Sequence, residues 1–258
     1  LNLFSPNAKR IGLSATILNA EKALKYISRS NNNKLIEFNN NPKFNISILN
    51  TTKQTPWSGH MAKFAIHDIY KKVLDNKGSL IFVNTRAQSE YLFQELWKIN
   101  DKKLKIALHH GSLDKKLRNV VEKKMFEGLI DCIIATSSLE LGIDWGNIKL
   151  VIQIGAPKGI SRMIQRIGRS NHNVSQQSKA FLVPTNKFEY LECMAAINAI
   201  KNYDIEEINE KEGSIDVLAQ HLNGIACNQN IDVDMVFSNI KSAFPYRNYS
   251  KTTFNKVI

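Results

Sequence analysis

The chain has 258 residues, room for one large or two modest domains, and its 43% hydrophobic content excludes a disordered chain. Its net charge of +12 favours a polyanionic partner, nucleic acid before an anionic membrane, although an AT-rich genome would also raise the lysine content. No apolar run is long enough to span a membrane, and three cysteines without paired spacing predict neither a metal site nor disulfides, so we expect a cytoplasmic protein.

The first third of the sequence predicts short strands and two helices. Arg10–Leu13 and Lys34–Phe38 have the composition of short strands, and Phe44–Leu49 alternates apolar and polar residues. Glu21–Ile27 and His60–Leu74 carry apolar residues at helical spacing.

Strands and helices then alternate as far as residue 200. The predicted strands are Ser79–Val83, Leu104–Leu108, Leu129–Ala135, Leu150–Ile154 and Lys179–Pro184. This alternation predicts an α/β fold, a parallel sheet with helices on both faces. In the last helix, Asn186–Ile200, we expect Leu191, Met194 and Ala195 to face the sheet.

The helix after Pro157 has an apolar face and a basic face. The apolar face is formed by Ile160, Met163, Ile164 and Ile167. The opposite face, within an arc of about 100° at helical pitch, is formed by Arg162, Gln165, Arg166 and Arg169. Guanidinium groups aimed in one direction match phosphate oxygens, so an anion site is one interpretation. A solvated basic face on an ordinary surface helix is the other.

Polar residues at three predicted strand ends also have two interpretations. The candidate helix caps are Thr85 with Gln88, Ser112 or Asp114, and Ser137 with Glu140. Free amides at the carboxyl ends of parallel strands bind anions, so the same segments fit contacts with phosphate groups. Spacing alone leaves both interpretations open.

Four short strings, in order, resemble motifs of superfamily 2 helicases. They are Ser14-Ala15-Thr16 (motif III), SLIFVNTR at 79–86 (motif IV), TSSLELGIDWG at 136–146 (motif V) and QRIGRSNH at 165–172 (motif VI). The resemblance covers nearly the whole chain. It lies in the large-helicase-related and ligase-associated DEXH-box branch, and it is closest to the ligase-associated members through IGAPKGISRMIQRIGRSNH at 154–172. Many relatives have arginine where this chain has His172, which leaves the role of that residue open.

The resemblance implies a RecA-like lobe followed by a truncated, helical winged-helix segment. Residues 1–30 would be a remnant of a first RecA-like lobe, 31–56 a linker region, 57–203 the second lobe and 204–258 the start of the winged-helix domain. Helical spacing after Gly213 fits the last of these assignments.

The resemblance also implies functional residues. Contacts with ATP fall to Gly142, Asp144, Arg166 and Arg169, and catalysis to Gln165, Arg166 and Arg169. The two arginines would reach the γ-phosphate and neutralise charge in the transition state. Contacts with the nucleic-acid backbone fall to Asn84, Thr85, Arg86, His110, Gly111, Arg118, Thr136 and Ser137.

The function implied is that of the C-terminal lobe of an ATP-dependent DNA helicase or translocase. Its cofactor would be ATP with Mg, held mainly by a first lobe in the same or a separate chain. Its partners would be single-stranded or partly duplex DNA, and the branch adds DNA repair with ligase or nuclease partners. The sequence contains neither GxxxxGK[ST] nor an Asp-Glu pair and starts at Leu1, so we expect a fragment without ATPase activity of its own.

Two other functions compete with this one. A split or decaying gene could leave a non-catalytic nucleic-acid-binding module with the same residues. An unrelated α/β nucleotide-binding domain would have to match motifs III to VI in order by chance.

Overall fold

The chain forms two compact units in the computed structural model. The structure describes residues 7–14, 16–27, 33–37, 44–140, 148–170, 177–207, 211–228, 230 and 232–258. One unit spans Asn39–Glu206, and the other combines Leu1–Phe38 with Glu207–Ile258.

The larger unit is built on a parallel sheet. Its strands are β1 (Phe44–Ile48), β2 (Ser79–Phe82), β3 (Ile106–His109), β4 (Cys132–Ala135), β5 (Leu150–Ile154) and β6 (Ser178–Val183). They lie in the order β1-β6-β5-β2-β4-β3, and every neighbouring pair is parallel. The central strands β2, β4 and β5 are buried along their whole length, as the apolar, β-branched composition requires of strands covered on both faces.

Helices cover both faces of this sheet, which confirms the predicted fold class. They are α2 (Ile66–Asp75), α3 (Arg86–Lys98), α4 (Lys115–Phe126), α5 (Ile160–Ile167) and α6 (Lys187–Asn202). Met125 of α4, Met163 of α5 and Cys193 of α6 belong to one core layer. Ile69 of α2 and Leu92 of α3 belong to the opposite layer.

The register aligns the strand ends in one row across the sheet. In order, the row is Ile48, Leu182, Gln153, Phe82, Ala135 and His109. Because all the strands are parallel, the residues that follow this row emerge along one carboxyl edge.

The described part of the smaller unit is helical. Its helices are α1 (Ala20–Ile27), α7 (Ile215–Ala226), α8 (Val233–Ser242) and α9 (Lys251–Asn255). Leu218 and Leu222 of α7 pack with Ile240 of α8 and Phe254 of α9 in a separate core. The predicted helices in this part of the sequence are therefore confirmed.

Two predicted strands near the N-terminus are wrong. Arg10–Leu13 and the described part of Lys34–Phe38 form no strand. Ile11 and Leu13 are 84% and 93% exposed. A strand requires a paired neighbour, and a short run of suitable side chains cannot supply one.

The helix predicted at His60–Leu74 begins later than its periodicity suggested. A 3-10 turn at Lys63–Ala65 precedes α2, which starts at Ile66. Ala62 before the turn has a left-handed backbone with φ of 50°, and an α-helix cannot pass through that conformation.

The predicted inward face of α6 is also wrong. Leu191, Met194 and Ala195 are exposed, whereas Cys193 and Ile200 are buried against the sheet. The helix is apolar on two sides, so its periodicity could not identify the stripe that packs.

Candidate nucleotide and nucleic-acid site

The segment after β2 contains a helix cap and a side-chain hydrogen bond to the segment after β5. Thr85 caps α3 by accepting a hydrogen bond from the Gln88 amide at 3.1 Å, and the Gln88 side chain completes the predicted capping box. Asn84 Nδ2 donates to the Ala156 carbonyl at 2.9 Å. The capping interpretation is therefore confirmed, and Asn84 is held against the end of β5.

Arg166 is the centre of a buried polar cluster at the same edge. The residue is 3% exposed, and its Nε donates to Glu140 Oε1 at 2.8 Å. Its Nη2 bonds the same carboxylate, and its Nη1 bonds the Gln153 side-chain oxygen. The guanidinium carbon lies 4.9 Å from the centroid of the Phe82 ring. A charge buried this deeply requires a partner, and Glu140 supplies it.

Gln153 connects this arrangement to the neighbouring strand ends. Its Nε2 donates to the carbonyls of Ile154 at 2.9 Å and Gly155 at 3.3 Å. The same nitrogen lies 3.4 Å from Asn84 Oδ1. Gly155 has φ of 79°, and an added Cβ would approach Asn84 Nδ2 to 2.9 Å, so glycine is required here.

Arg169 lies beyond the helix on which spacing had placed it, since α5 ends at Ile167. It is half-buried, and its Nε and Nη2 donate to the Glu140 carbonyl at 3.1 and 2.7 Å. We call Asn84, Glu140, Gln153, Arg166 and Arg169 the guanidinium cluster. Glu140 holds both arginines, one through its carboxylate and the other through its backbone.

The predicted common direction of three guanidinium groups is only partly present. Arg162 is exposed, Arg166 is buried and Arg169 is half-buried. Gln165 is half-buried and has interactions of its own. Helical pitch fixes the direction in which each side chain points from the helix. Packing against the neighbouring sheet decides which of these side chains is buried.

Two adjacent histidines lie at the same edge, His109 as the last residue of β3 and His110 directly after it. His109 lies with Nδ1 2.7 Å from Ser138 Oγ and Nε2 2.8 Å from Glu122 Oε1. His110 is also buried, but neither of its ring nitrogens has a hydrogen-bond partner among the described residues. Its Nε2 lies 3.6 Å from Glu90 Oε1.

Burial is the main cause that lowers the pKa of His110 below its ordinary value. The charge of Arg86 acts in the same direction, Glu90 opposes it and His109 lowers it further. The buried ring is therefore favoured in its neutral form.

The remaining residues singled out from the sequence differ in burial and in their partners. Thr136 is half-buried, and its amide donates to the His109 carbonyl at 3.3 Å, which joins the ends of β4 and β3. Arg86, Gly111 and Ser137 are exposed, with Arg86 Nε 2.8 Å from Glu90 Oε1. Arg118 is half-buried, and its Nε has no hydrogen-bond partner among the described residues. Gly142, Asp144, His172 and Ala15 lie outside the described residues.

Of the capping predictions at the other two strand ends, one is confirmed and one is wrong. Asp114 caps α4 by accepting from the Lys116 amide at 2.7 Å, which decides between Ser112 and Asp114. The capping box predicted for Ser137 and Glu140 is wrong. Ser137 begins a 3-10 turn that ends at Leu139, and the Glu140 side chain bonds Arg166 instead.

Glu206 holds the start of α5, a contact that the sequence did not reveal. Its carboxylate accepts hydrogen bonds from the Ile160 amide and, at 3.0 Å, from the Ser161 amide at the start of α5. Burial raises the pKa of Glu206, but these amides outweigh it, so its pKa lies below the ordinary value. Glu140 and Gln153 were likewise not predicted as ligands of an arginine. A carboxylate and an amide beside motifs V and VI were the available signal.

Neither a metal site nor a membrane span is found in the described part of the chain. No group of three or more His, Cys, Asp or Glu residues there could hold a metal ion. No described helix is long and apolar enough to cross a bilayer.

Two family models match consecutive parts of the chain. The helicase conserved C-terminal domain matches residues 63–173, which contain the guanidinium cluster. The winged-helix domain of large helicase-related proteins matches residues 198–258.

Curated relatives match over almost the whole chain. ATP-dependent helicase Lhr-Core of Methanocaldococcus jannaschii is 34% identical over 256 residues, 98% of this chain and 30% of the relative. ATP-dependent helicase Lhr-Core protein 2 of Thermococcus barophilus is 31% identical over 96% of this chain and 30% of its own length. The chain thus spans about a third of these relatives.

A solved structure of Mycobacterium smegmatis helicase Lhr, bound to ssDNA and AMP-PNP, has the same fold with a TM-score of 0.87. It is 30% identical and covers 97% of this chain, which corresponds to 33% of that protein. The helicase MrfA bound to DNA and AMPPNP matches with a TM-score of 0.63 at 20% identity, a likeness of fold alone. The motifs, the sheet and these matches agree, and the chain belongs to the large helicase-related (Lhr) branch of the superfamily 2 helicases, of which it carries the C-terminal helicase domain.

Proposed function

We propose that this chain is the second motor lobe of an ATP-dependent DNA helicase or translocase. Arg169 would act as the arginine finger on ATP that a first lobe holds with Mg. The carboxyl edge of the sheet would bind the backbone of single-stranded or partly duplex DNA. The observation that carries the proposal is the guanidinium cluster, in which one residue, Glu140, holds two motif VI arginines.

The two arginines divide the work in this proposal. The carboxylate of Glu140 balances the charge of Arg166, and that pair is buried beneath the edge. Arg166 then acts as a positioning residue that fixes motif V against motif VI. Arg169 donates to the Glu140 carbonyl and is half-buried, whereas Arg166 is buried. The more accessible guanidinium of Arg169 is the better suited of the two to reach a developing γ-phosphate charge.

The nucleic-acid contacts rest on the strand ends. Thr85, Thr136 and Ser137 lie where parallel strands β2 and β4 end, a place where hydroxyls and amides meet phosphate. The adjoining candidates are Asn84 and Arg86, which follow β2, and His110 and Gly111, which follow β3. Arg118 is on α4. We also propose a role in DNA repair with DNA ligase or nuclease partners. The support for this part is the resemblance to the helicase branch alone.

The decisive experiment removes one guanidinium from a complete motor. The chain is joined to the nucleotide-binding lobe of an Lhr-Core relative, and DNA-stimulated ATP hydrolysis is measured. Arg169→Ala should reduce turnover about 1,000-fold or more while ATP binding persists. Arg162→Ala is the matched control, because Arg162 is exposed on the adjacent helix α5. Equal losses in the two variants would refute the finger assignment.

The chain by itself provides a second test. It should bind single-stranded DNA with an affinity that falls steeply between about 50 and 200 mM salt. Thr136→Ala and Arg86→Ala should each weaken that binding. We expect no ATP hydrolysis from residues 1–258, so robust turnover by the purified chain would contradict the proposal. Salt-sensitive binding without turnover in the joined motor would favour a non-catalytic binding module.

A further inference from the structure

A cleft opens on the carboxyl edge of the sheet, at the ends of β1 and β6. Its volume is about 870 Å³. Ile48 and Leu49 form its wall on the β1 side, and Val183 and Pro184 form the wall on the β6 side. We call it the aromatic cleft, after Trp57, Phe188 and Tyr190, which line it together with Leu191, Lys53 and Lys187.

Trp57 is held in this cleft although most of its ring faces solvent. The Pro56 carbonyl accepts from the Lys187 amide at 2.9 Å, and the Gly59 carbonyl accepts from Thr185 Oγ1 at 2.9 Å. The segment is therefore attached to the start of α6. Trp57 is nevertheless 70% exposed, so its ring contributes little to the core.

The exposed side of α6 supplies the other apolar groups. Phe188 is 68% exposed and Leu191 is 66% exposed. They belong to the stripe of α6 that does not pack on the sheet. A contiguous exposed apolar surface on a helix marks a binding surface more often than scattered single residues do.

The charge of the cleft selects the kind of occupant. Lys53 and Lys187 are among its lining residues, whereas no aspartate or glutamate is. Lys187 Nζ lies 3.9 Å from the centroid of the Trp57 ring. A cation beside an exposed aromatic face suits a ligand that has a flat apolar part and an anionic part close together.

We propose that the aromatic cleft binds an unpaired nucleotide of single-stranded DNA, with its base stacked in the cleft against Trp57 or Phe188. A phosphate of the same strand pairs with Lys187 or Lys53. Non-specific single-strand sites combine stacking platforms with basic residues in this way. Duplex DNA keeps its bases stacked on one another, so the cleft selects single strands.

This inference rests on the proposed function, since it extends the DNA path from the motif residues. Leu182 before the cleft and Ala135 before Thr136 lie in one row of the sheet. They are three strand spacings apart, about 14 Å. A single strand of DNA that contacts Thr136 can therefore continue along the edge of the sheet to Trp57.

The cleft is tested by measuring how the purified chain binds a labelled oligothymidine. An oligonucleotide of roughly 20 nucleotides exceeds the roughly 4–16 nucleotides that comparable single-strand sites occupy. Trp57→Ala should weaken binding about 5- to 100-fold, the effect of removing one stacking platform. Trp57→Phe should restore most of the affinity, because phenylalanine still offers an aromatic face. Trp97→Ala is the matched control: this tryptophan is 57% exposed on α3 and stacks on Phe93 at 5.6 Å.

Tryptophan fluorescence gives an independent readout. Single-stranded DNA should quench emission in the unchanged chain and in Trp97→Phe, and this quenching should diminish in Trp57→Phe. An abasic oligonucleotide of equal length should bind the unchanged chain as weakly as oligothymidine binds Trp57→Ala.

The outcomes separate the cleft from the function on which it rests. If Thr136→Ala weakens binding but Trp57→Ala does not, the cleft proposal is overturned and the proposed function stands. If the unchanged chain binds no DNA, both fail. Equal losses for duplex and single strands in Trp57→Ala, or quenching by free ATP instead of DNA, would also overturn base stacking in the cleft.

Discussion

The guanidinium cluster and the aromatic cleft lie on one edge of one sheet, and they are built in opposite ways. In the cluster, charged Arg166 and Glu140 are buried and bonded to each other before any ligand arrives. In the cleft, Trp57, Phe188 and Leu191 are exposed. The cluster therefore contributes to the stability of the fold, whereas the cleft does not need to.

This difference fits the two roles that we propose for these regions. Groups that stabilise a transition state must be held in advance, because reorganisation during the reaction costs free energy. A platform for successive bases must accept and release them, so it needs exposed faces more than fixed bonds. Substitutions should then separate stability from binding along this edge.

The largest expected effect is on the cluster. Glu140→Ala leaves Arg166 buried without its counter-charge and should lower the free energy of unfolding by about 3–5 kcal/mol. Adding Arg166→Met should recover most of the loss, because a buried apolar side chain needs no partner. Urea unfolding followed by tryptophan fluorescence suits this test, since Trp57 and Trp97 fall within the Asn39–Glu206 unit.

An exposed ion pair supplies the control for that experiment. Lys123 and Glu127 lie 3.9 Å apart with side chains 78% and 41% exposed. Glu127→Ala should change the free energy of unfolding by less than about 1 kcal/mol. A comparable small effect for Glu140→Ala would mean that the Arg166 pair is not the structural anchor described above.

An intermediate effect is expected from the two sides of α6. Burial raises the pKa of the Cys193 thiol to about 12, so the group is a neutral core residue. Cys193→Ser should cost about 1–3 kcal/mol of unfolding free energy, because it buries a more polar hydroxyl. Leu191→Ser should change it by less than about 0.5 kcal/mol, since Leu191 is 66% exposed. A larger loss of unfolding free energy in Leu191→Ser than in Cys193→Ser would instead support the prediction from periodicity that Leu191 faces the sheet.

The smallest expected effect concerns pH and the two histidines. His110 has a pKa below its ordinary value of 6.5, mainly through burial, so the unfolded chain binds a proton that the folded chain does not. The free energy of unfolding should therefore fall as the pH drops below about 6.5. In His110→Asn this fall should be shallower. The groups that face His110, namely Arg86, Glu90 and His109, remain in place.

His67→Asn is the matched control for the pH experiment, because His67 is exposed on α2. Its stability profile between pH 5 and 7 should follow that of the unchanged chain (a range of about two units around the ordinary histidine pKa). An unchanged slope in His110→Asn would show that another group causes the loss of stability in acid.

Much of the fold follows from short-range patterns. Apolar runs such as Leu150–Ile154 became strands, and the capping box of Thr85 and Gln88 formed as its spacing predicted. The motif strings gave the family and the sheet edge at which the candidate residues meet. These features depend on neighbours within a few positions, or on alternation along the chain, and the sequence contains that information directly.

The partners within the site depended on the tertiary structure. Glu140 has the spacing of a helix cap, yet it bonds Arg166, 26 positions away in the chain. Leu191 has the spacing of a core residue, yet the sheet covers Cys193 instead. In both cases two local solutions were comparable, and burial of a charge or of an apolar stripe against a distant strand decided between them.

By itself, then, the sequence determined most of the strands and helices between Phe44 and Asn202, that these strands are parallel, and which family the chain belongs to. Only the tertiary structure decided that Arg166 is buried with Glu140 and that an aromatic cleft opens beside Trp57. The physical reason is range. Backbone propensity and periodicity act between near neighbours, whereas desolvation and charge pairing depend on whatever the fold brings within a few ångströms.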